Sequence, residues 1–306
     1  MTSDEAACAR DWHCRCIVLC VAKQTSFDLN MKEYYMTHFY GLYPRIFTLC
    51  ILGIGLAMTQ AATAGQVLSR IQDKGELVLG TSGNMPPMSQ KMEDGTVVGF
   101  DVDLASLMAS GMDVKLIIKT MPFNELLPAL EKGDVDVVIS NVTINPQRNM
   151  KVAFVGPYMT SGKCVITKEE RLAKASEAEN LNVPETRLAA LSGTTSAEFI
   201  KVLLPKATLT LVEDFESGVR MVNDGKVGGL LTDYPICLAM QKKYPDAGFV
   251  SVFSLLSYEP IGIAIPADDS LYLNWTENFL LRVEGTGFLE ELAVRWFGRP
   301  ISKNDE

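Results

Sequence analysis

The sequence predicts an α/β fold with two lobes, and three observations support this prediction. Short runs of β-branched residues alternate with amphipathic helical stretches, a pattern typical of largely parallel sheets covered by helices. The pattern is repeated, once before Tyr158 and once after it. Strands in both halves end in small polar or acidic residues. Because ligands bind beyond the carboxyl ends of strands in open α/β sheets, the two lobes could face one another across a cleft.

The composition is that of an ordinary globular protein. The chain has 306 residues, of which 47% are hydrophobic and 21% charged, and its formal net charge is −9. This length suits one or two domains. The acidic balance and the lack of a basic run argue against a nucleic-acid partner, since nucleic-acid binding needs clustered Lys and Arg.

The N-terminal region has the features of a signal peptide. Its longest apolar run, 46–58, is shorter than the roughly 20 residues of a membrane-spanning helix. Arg45 precedes the run, and Ala62-Thr63-Ala64 precedes a cut after Ala64. We therefore expect residues 1–64 to be an upstream extension plus a signal peptide, and the mature chain to be exported to the periplasm. The true start could be Met1, Met31 or Met36.

The positions of His and Cys exclude several chemistries. Both His13 and His38 precede the expected cut, so the mature chain would have no His for a Ser-His-Asp triad or a His-containing zinc site. The Cys spacing in the first 20 residues matches no zinc pattern. Of the later Cys residues, Cys164 and Cys237 could form a disulfide in an oxidising compartment or remain two buried thiols. We expect no metal and no cofactor.

The first half begins with a strand and a hairpin and then alternates strands with helices. Asp101 and Asp103 stand where a helix begins, and we interpret them as favourable charges at the helix dipole rather than as catalytic groups. Gly111 ends this helix. The pattern predicts strands at 76–81, 114–119, 135–139 and 152–155, a hairpin turn at Asp94-Gly95, and helices at 99–111 and 123–131.

The second half repeats this alternation. Residues 169–185 are polar and typical of a loop or helix. In 258–266, Ile alternates with Gly and Ala, which indicates a strand packed closely on both faces. The pattern predicts strands at 164–167, 187–191, 209–212, 228–231 and 258–266, and helices near 197–204, 215–223, 235–243, 271–284 and 288–297.

The stretch Val135–Arg148 is the strongest candidate for a binding site. Its buried strand ends at Ser140, Asn141 and Thr143, and Pro146 suits the first turn of a helix. Arg148 projects from that turn, so free amides, hydroxyls and a cation meet where an anion could bind. The alternative is a surface loop with a solvated Arg.

Polar residues also follow other strands. Ser82-Gly83-Asn84 ends the first strand, and the two thioethers of Met85-Pro86-Pro87-Met88 could line a pocket or fill the core. In the second half, 192–196 and Thr232-Asp233 end strands in the same way.

Taken together, these residues resemble the family 3 bacterial extracellular solute-binding proteins, the polar amino-acid receptors of ABC importers. The resemblance covers nearly all of 75–299, and its most specific part is Gly99–Leu104 (GFDVDL), extended by Met108 and Ala109. The supporting motifs are Met121-Pro122-Phe123, Asn141–Arg148, Ser192-Gly193-Thr194, Thr232-Asp233, Gly262-Ile263-Ala264 and Trp296-Phe297-Gly298.

The resemblance implies a type II periplasmic binding protein fold. Lobe 1 would comprise 65–158 and 261–306, and lobe 2 would comprise 159–260. Each lobe would be a mostly parallel sheet flanked by helices. Two hinge strands would cross near 158–161 and 257–260, and the lobes would close on the ligand by hinge motion.

The resemblance also implies the ligand contacts. Arg148 would bind the α-carboxylate of an amino acid, since a guanidinium matches two carboxylate oxygens. Asp233 would bind the α-ammonium. The remaining expected ligand-binding residues are Ser82, Met85, Phe123, Asn141, Thr143, Thr194 and Thr195. The family usually has an acidic residue at Ser82 and aromatic residues at Met85 and Met88. This departure suits a smaller or apolar side chain.

These expectations lead to a non-enzymatic function. The chain would be a monomeric periplasmic receptor that delivers an amino acid to the membrane permease of an ABC importer. The alternative is a periplasmic enzyme on the same scaffold, similar to cyclohexadienyl dehydratase. Against an enzyme, no pair of carboxylates stands out in the sequence for acid–base work. A sensory or regulatory domain is a third possible class of function.

Overall fold

A computed structural model describes residues 65–175, 177–253 and 257–298. The expected signal peptide and the alternative starts lie outside the described residues. The described residues all belong to one unit, Ala62–Glu306.

The described residues form eleven α-helices and thirteen strands. The helices are α1 (Gln66–Lys74), α2 (Phe100–Gly111), α3 (Phe123–Glu131), α4 (Pro146–Asn149), α5 (Glu170–Ala173), α6 (Ala178–Leu181), α7 (Thr195–Leu203), α8 (Phe215–Asn223), α9 (Tyr234–Lys243), α10 (Ser270–Gly285) and α11 (Phe288–Phe297). The strands are β1 (Glu76–Thr81), β2 (Asn84–Met85), β3 (Ser89–Lys91), β4 (Val97–Val98), β5 (Lys115–Thr120), β6 (Val137–Val138), β7 (Val152–Ser161), β8 (Lys163–Thr167), β9 (Arg187–Leu191), β10 (Thr208–Val212), β11 (Gly229–Asp233), β12 (Val250–Phe253) and β13 (Glu259–Pro266).

Two five-stranded sheets confirm the predicted α/β fold. The first has the order β5-β1-β6-β13-β7 and the second the order β10-β9-β11-β8-β12. In each sheet the first three strands are parallel, and each of the last two is antiparallel to its inner neighbour. Four strands of each sheet therefore run in one direction, with β13 and β8 opposed. A small antiparallel sheet, β2-β3-β4, carries the predicted turn at Asp94-Gly95.

The long strands β7 and β13 connect the two sheets. They pair antiparallel from Val152 opposite Pro266 to Ser161 opposite Glu259. After Ser161 the chain passes through Gly162 into β8 of the second sheet. The expected crossings lie at this end of the pair, and the lobe boundaries stay a prediction.

The core of each sheet is built from the predicted apolar runs. Ile261, Ile263 and Ile265 are all fully buried, as expected for a strand packed on both faces. Gly262 is required there, because a Cβ would lie 2.7 Å from the side chain of Ile144. Cys164 and Cys237 are joined in a disulfide with a Cα–Cα distance of 6.6 Å, so one of the two alternatives left open by the sequence is realised.

Some elements differ from the sequence prediction. The strand expected at 135–139 is hydrogen-bonded as a strand only at Val137–Val138, although Val135 and Ile139 are fully buried beside it. Helix α1 and strand β12 were not predicted. Asp269 explains α1, since its carboxylate accepts hydrogen bonds from the amides of Val67 and Leu68 and also caps α10. Within the described ranges, every helix is too short or too polar to cross a membrane.

Candidate functional site

A narrow crevice lies between loops that follow the first sheet and loops that follow the second. Its free volume is about 10 Å³, which is room for roughly one water molecule. The lining residues are Met85, Phe123, Asn141, Thr143, Arg148, Thr194, Thr195, Ser196, Phe215, Leu231, Thr232 and Asp233. The crevice thus contains eight of the nine ligand-binding residues that the sequence predicts.

Asn141 is held in place by the buried carboxylate of Asp101. Its backbone has a φ of 52°, a left-handed conformation that Asn tolerates better than most residues. The Asn141 amide donates to Asp101 Oδ2 at 2.8 Å, and the Tyr158 hydroxyl donates to Asp101 Oδ1 at 2.7 Å. Burial raises the pKa of Asp101 to about 7, and the two hydrogen bonds only partly offset this effect. Asp101 therefore does more than favour the start of α2, because it fixes the loop that carries Asn141.

Arg148 projects into the crevice from the short helix α4, as the sequence predicts. Asn145 caps this helix, and Pro146 occupies its first turn. The guanidinium lies 5.7 Å from the centre of the Phe123 ring. Its Nη1 donates to the carbonyl of Thr143 at 2.8 Å, and its Nη2 donates across the crevice to the carbonyl of Gly193 at 3.0 Å. Burial lowers the pKa of Arg148, and the negative charges of nearby carboxylates partly offset this effect. Because the ordinary pKa of an Arg is so high, Arg148 stays charged at neutral pH.

The opposite wall comes from segments of the second sheet. Thr194 caps α7 by accepting a hydrogen bond from the amide of Ala197. Asp233 ends β11 and is largely buried. Its Oδ2 accepts from Asn141 Nδ2 at 2.8 Å, so the two walls are joined directly. Asn141 Oδ1 is buried and has no hydrogen-bond partner among the described residues.

Behind Asp233 lies a cluster that the sequence analysis did not predict. The side chain of Lys163 is fully buried, and its Nζ lies 2.7 Å from Asp233 Oδ1 and 3.2 Å from Glu259 Oε1. The same Nζ donates to the Thr195 hydroxyl at 2.7 Å. Lys163 and Glu259 do not line the crevice, but both touch residues that do. The sequence offers one signal for this cluster, because Lys163 directly precedes the predicted strand 164–167.

Glu259 accepts hydrogen bonds from three hydroxyl groups. Its Oε2 accepts from the hydroxyls of Thr143 at 2.8 Å and Thr195 at 2.9 Å, and its Oε1 accepts from Ser257 at 2.7 Å. Burial raises the pKa of Glu259, but the charge of Lys163 and these hydrogen bonds outweigh burial and leave the pKa below its usual range. Glu259 is therefore a carboxylate at neutral pH.

Ser82 is the one predicted residue that does not line the crevice. It is buried, its amide donates to the Ser140 hydroxyl at 2.9 Å, and its Oγ lies 3.3 Å from the Oγ of Ser89. The two Met residues of the neighbouring turn are both buried in the core, and Met85 also reaches the crevice. Both roles that the sequence allowed for this turn are therefore realised.

The crevice has groups suited to both ends of a zwitterion. Arg148 supplies a cation on one wall and Asp233 supplies a carboxylate on the other. Asn141, on the same wall as Arg148, adds an acceptor beside Asp233 through its Oδ1. Met85, Phe215 and Leu231 give the space between them an apolar wall. Over residues 65–175, 177–253 and 257–298, no group of three or more His, Cys, Asp or Glu side chains could hold a metal ion.

Comparison with known families gives one match over most of the chain. Residues 77–299 match the bacterial extracellular solute-binding proteins, family 3. The match covers more than half of the chain, and it includes both walls of the crevice.

Two curated relatives and one solved structure are similar over most of their lengths. The L-cystine-binding protein TcyJ of Escherichia coli strain K12 is 25% identical over 249 residues, which cover 81% of this chain and 92% of that protein. The cyclohexadienyl dehydratase of Pseudomonas aeruginosa is 25% identical over 247 residues, covering 81% and 91%. The crystal structure of the ancestral amino acid-binding protein AncCDT-1, a precursor of cyclohexadienyl dehydratase, is 34% identical with a TM-score of 0.70, covering 76% of this chain and all of that one.

Proposed function

The chain belongs to the bacterial extracellular solute-binding proteins of family 3, and on that premise we propose that it binds an amino acid between two lobes and delivers it to the membrane permease of an ABC importer. The observation that carries this proposal is the placement of Arg148 and Asp233 on opposite walls of one crevice. Two opposite charges that face a common space are complementary to a zwitterion.

Arg148 would bind the α-carboxylate. Its guanidinium now donates to two backbone carbonyls, which accept without neutralising its charge. A carboxylate that replaced these carbonyls would form charge-assisted hydrogen bonds, which are roughly twice as strong as neutral ones. The contact with Phe123 holds the guanidinium plane in position for this exchange.

The α-ammonium would bind at Asn141 and Asp233. Asn141 Oδ1 is a buried acceptor without a partner, which is costly unless a donor reaches it. Asp233 Oδ2 accepts one hydrogen bond and retains a further lone pair. An ammonium group with three donors could satisfy both acceptors together.

Binding requires the crevice to widen. About 10 Å³ is far less than the volume of any amino acid, so the two walls must separate before the ligand enters. We propose that lobe 1 (65–158 and 261–306) and lobe 2 (159–260) rotate about the paired strands β7 and β13. Hinge motion of this kind is a common way to enclose a ligand.

Replacement of Arg148 by Ala tests the proposal. We expect the variant to lose about 10²–10³ in affinity, because the ligand carboxylate would be buried without its partner. A thermal-shift screen of residues 65–306 against the standard amino acids identifies the ligand, which at 100 times its Kd should stabilise the protein by about 2.7 kcal/mol. Calorimetry then compares the two proteins.

The matched control is Arg282→Ala, which removes an exposed Arg from α10 and should leave the affinity unchanged. Equal affinity of Arg148→Ala and the unsubstituted protein would refute this site. Failure of every amino acid to stabilise the protein would refute amino-acid binding.

A dehydratase is the second candidate function, favoured by the relative from Pseudomonas aeruginosa and by the two carboxylates that meet at Lys163. This pair was not foreseen from the sequence, because Glu259 lies far from Asp233 along the chain.

Two features favour a non-enzymatic receptor. The pKa of Glu259 is lowered, so this group is poorly suited to donate a proton at neutral pH. Asp233 and Glu259 also form ion pairs with the same side chain, that of Lys163. Turnover of prephenate or arogenate by the purified protein would favour the enzyme.

We also propose that the mature protein is a periplasmic monomer, released by cleavage after Ala64. The family consists of extracellular proteins, which supports export. N-terminal sequencing of protein from a periplasmic fraction would locate the cut, and light scattering would give the oligomeric state.

A further inference from the structure

The charges around the crevice are balanced. Lys163 lies within 3.2 Å of both Asp233 and Glu259, so this trio carries a net charge of −1. Arg148 carries +1 on the opposite wall. Glu198 also acts on Arg148, but it is exposed and pairs with Lys201 at 3.5 Å. An amino acid with an uncharged side chain therefore matches both walls, with its carboxylate at Arg148 and its ammonium at the trio.

A second positive charge on the ligand would find no free carboxylate. Both oxygens of Glu259 already have partners. Oε1 forms an ion pair with Lys163 and accepts a hydrogen bond from Ser257, and Oε2 accepts hydrogen bonds from Thr143 and Thr195. Apart from Arg148 and Asp233, the lining residues carry no charge: they are apolar residues such as Phe215, Leu231 and Met85 together with Asn, Thr and Ser residues. A cationic side chain enclosed there would stay uncompensated, which is strongly unfavourable in a buried site.

We propose that Lys163 determines the specificity of the site: by neutralising one of two buried carboxylates, it selects amino acids with uncharged side chains over those with cationic side chains. This inference rests on the proposed function, and it assigns to that site a class of ligand. Lys163 acts through Asp233 and Glu259 and has no direct contact with the ligand.

The charge count predicts a different preference for each of three variants. Lys163→Met leaves the trio at −2 and should favour cationic amino acids. Glu259→Gln leaves it at zero and should favour anionic ones. The double variant Lys163→Met/Glu259→Gln restores −1 and should again favour uncharged ones. At the effective dielectric of such sites, one unbalanced charge should change the ratio of dissociation constants by about 10- to 100-fold.

The experiment measures dissociation constants by calorimetry for L-alanine, L-methionine and L-glutamine as uncharged probes, L-arginine and L-lysine as cationic probes, and L-glutamate as the anionic probe. Lys168→Gln is the matched control, because it removes an exposed Lys that directly follows the other end of β8, and it should keep the original preference. Thermal unfolding checks that each variant is folded.

The three preferences together would establish the role of Lys163. If Lys163→Met keeps the original ratio of arginine to the uncharged probes while Arg148→Ala abolishes binding, this inference is overturned and the proposed function stands. If Lys163→Met does not fold, Glu259→Gln decides the matter, and an unchanged ratio of glutamate to the uncharged probes would overturn the inference. If no amino acid binds the unsubstituted protein, both proposals are overturned.

Discussion

The shape of the crevice depends on Asp101, whose carboxylate does not itself line the crevice. Asp101 is fully buried at the start of α2 and accepts hydrogen bonds from the Asn141 amide and the Tyr158 hydroxyl. The amide bond fixes Asn141 in its left-handed conformation, which directs its side chain towards Asp233. Asp101 thus positions the residue that bridges the two walls, and its protonation state should influence the stability of the fold.

The buried position of Asp101 predicts an unusual pH dependence. Its pKa is raised to about 7 in the folded chain, so between about pH 4 and 7 the folded state holds a proton that the unfolded state has released. Unfolding in this window releases that proton, and raising the pH therefore lowers stability. We expect the free energy of unfolding to fall by about 2–4 kcal/mol relative to Asp101→Asn between pH 4.5 and 7.5. Urea unfolding at both pH values measures the difference.

Asp73→Asn is the control for this comparison, since Asp73 is exposed on α1. Its free energy of unfolding should follow that of the unsubstituted protein at both pH values. A constant difference between Asp101→Asn and the unsubstituted protein across the window would contradict a raised pKa at Asp101.

Sequence reasoning found the residues whose position depends on local structure. Arg148 lies in a first helical turn after Pro146, and Asp233 ends a strand, so both could be placed from neighbouring residues alone. Lys163 and Glu259 could not, because they meet only through the pairing of β7 with β13 and of β8 with β11. Lys163 and Asp233 are 70 residues apart in the sequence. The charge balance of the site therefore depends on strand register, which local patterns do not determine.

At the scale of elements, the disulfide connects the two segments that hold the charged cluster. Cys164 follows Lys163 in β8, and Cys237 lies one helical turn after Asp233 in α9. Both Cys residues are fully buried. The disulfide therefore constrains strand β8, which carries Lys163, and helix α9, which begins directly after Asp233.

Removal of this disulfide should lower stability substantially. The two Cys residues are 73 positions apart, and closing a loop of this length is worth about 4 kcal/mol by chain entropy. We expect Cys164→Ala/Cys237→Ala to lose up to about that amount in urea unfolding. The unsubstituted protein should show a similar loss when unfolded with reductant, whereas the variant should be insensitive to reductant. If neither reductant nor substitution changes the free energy of unfolding, the two thiols are not joined in the protein.

The bounds of helices and strands could also be predicted only where local features determine them. Helices α8 and α11 have the predicted bounds, because their apolar periodicity and their polar or Gly caps are local features. Strand β6 is shorter than its apolar run, since its ladder with β13 is limited to Val138 opposite Ala264. Apolar patterning therefore predicts burial at 135–139, while the extent of strand pairing is decided by the neighbouring strands.

At the scale of the molecule, the two walls meet through a small set of polar contacts and one close backbone approach. Asn141 bonds to Asp233, and Arg148 bonds to the carbonyl of Gly193. Gly193 itself has a φ of +76° and packs directly against Asn124 of α3, on the opposite wall. These contacts hold the crevice narrow. When the walls close on a ligand, the ligand carboxylate would replace the Gly193 carbonyl at Arg148, whereas the approach of Gly193 to Asn124 would form again.

Gly193→Ala should weaken ligand binding by obstructing this approach. A Cβ at Gly193 would lie 2.8 Å from the Cβ of Asn124, so the walls could not come as close, and we expect affinity to fall about tenfold or more. The left-handed backbone adds a stability cost of roughly 1–2 kcal/mol. Gly225→Ala separates the two effects, because Gly225 has a similar φ of +67° with no atom within 4 Å of the added Cβ. Calorimetry should show lower affinity for Gly193→Ala alone, while thermal unfolding should show a loss in both. Equal affinities of the two variants would mean that Gly193 and Asn124 do not meet in the ligand-bound protein.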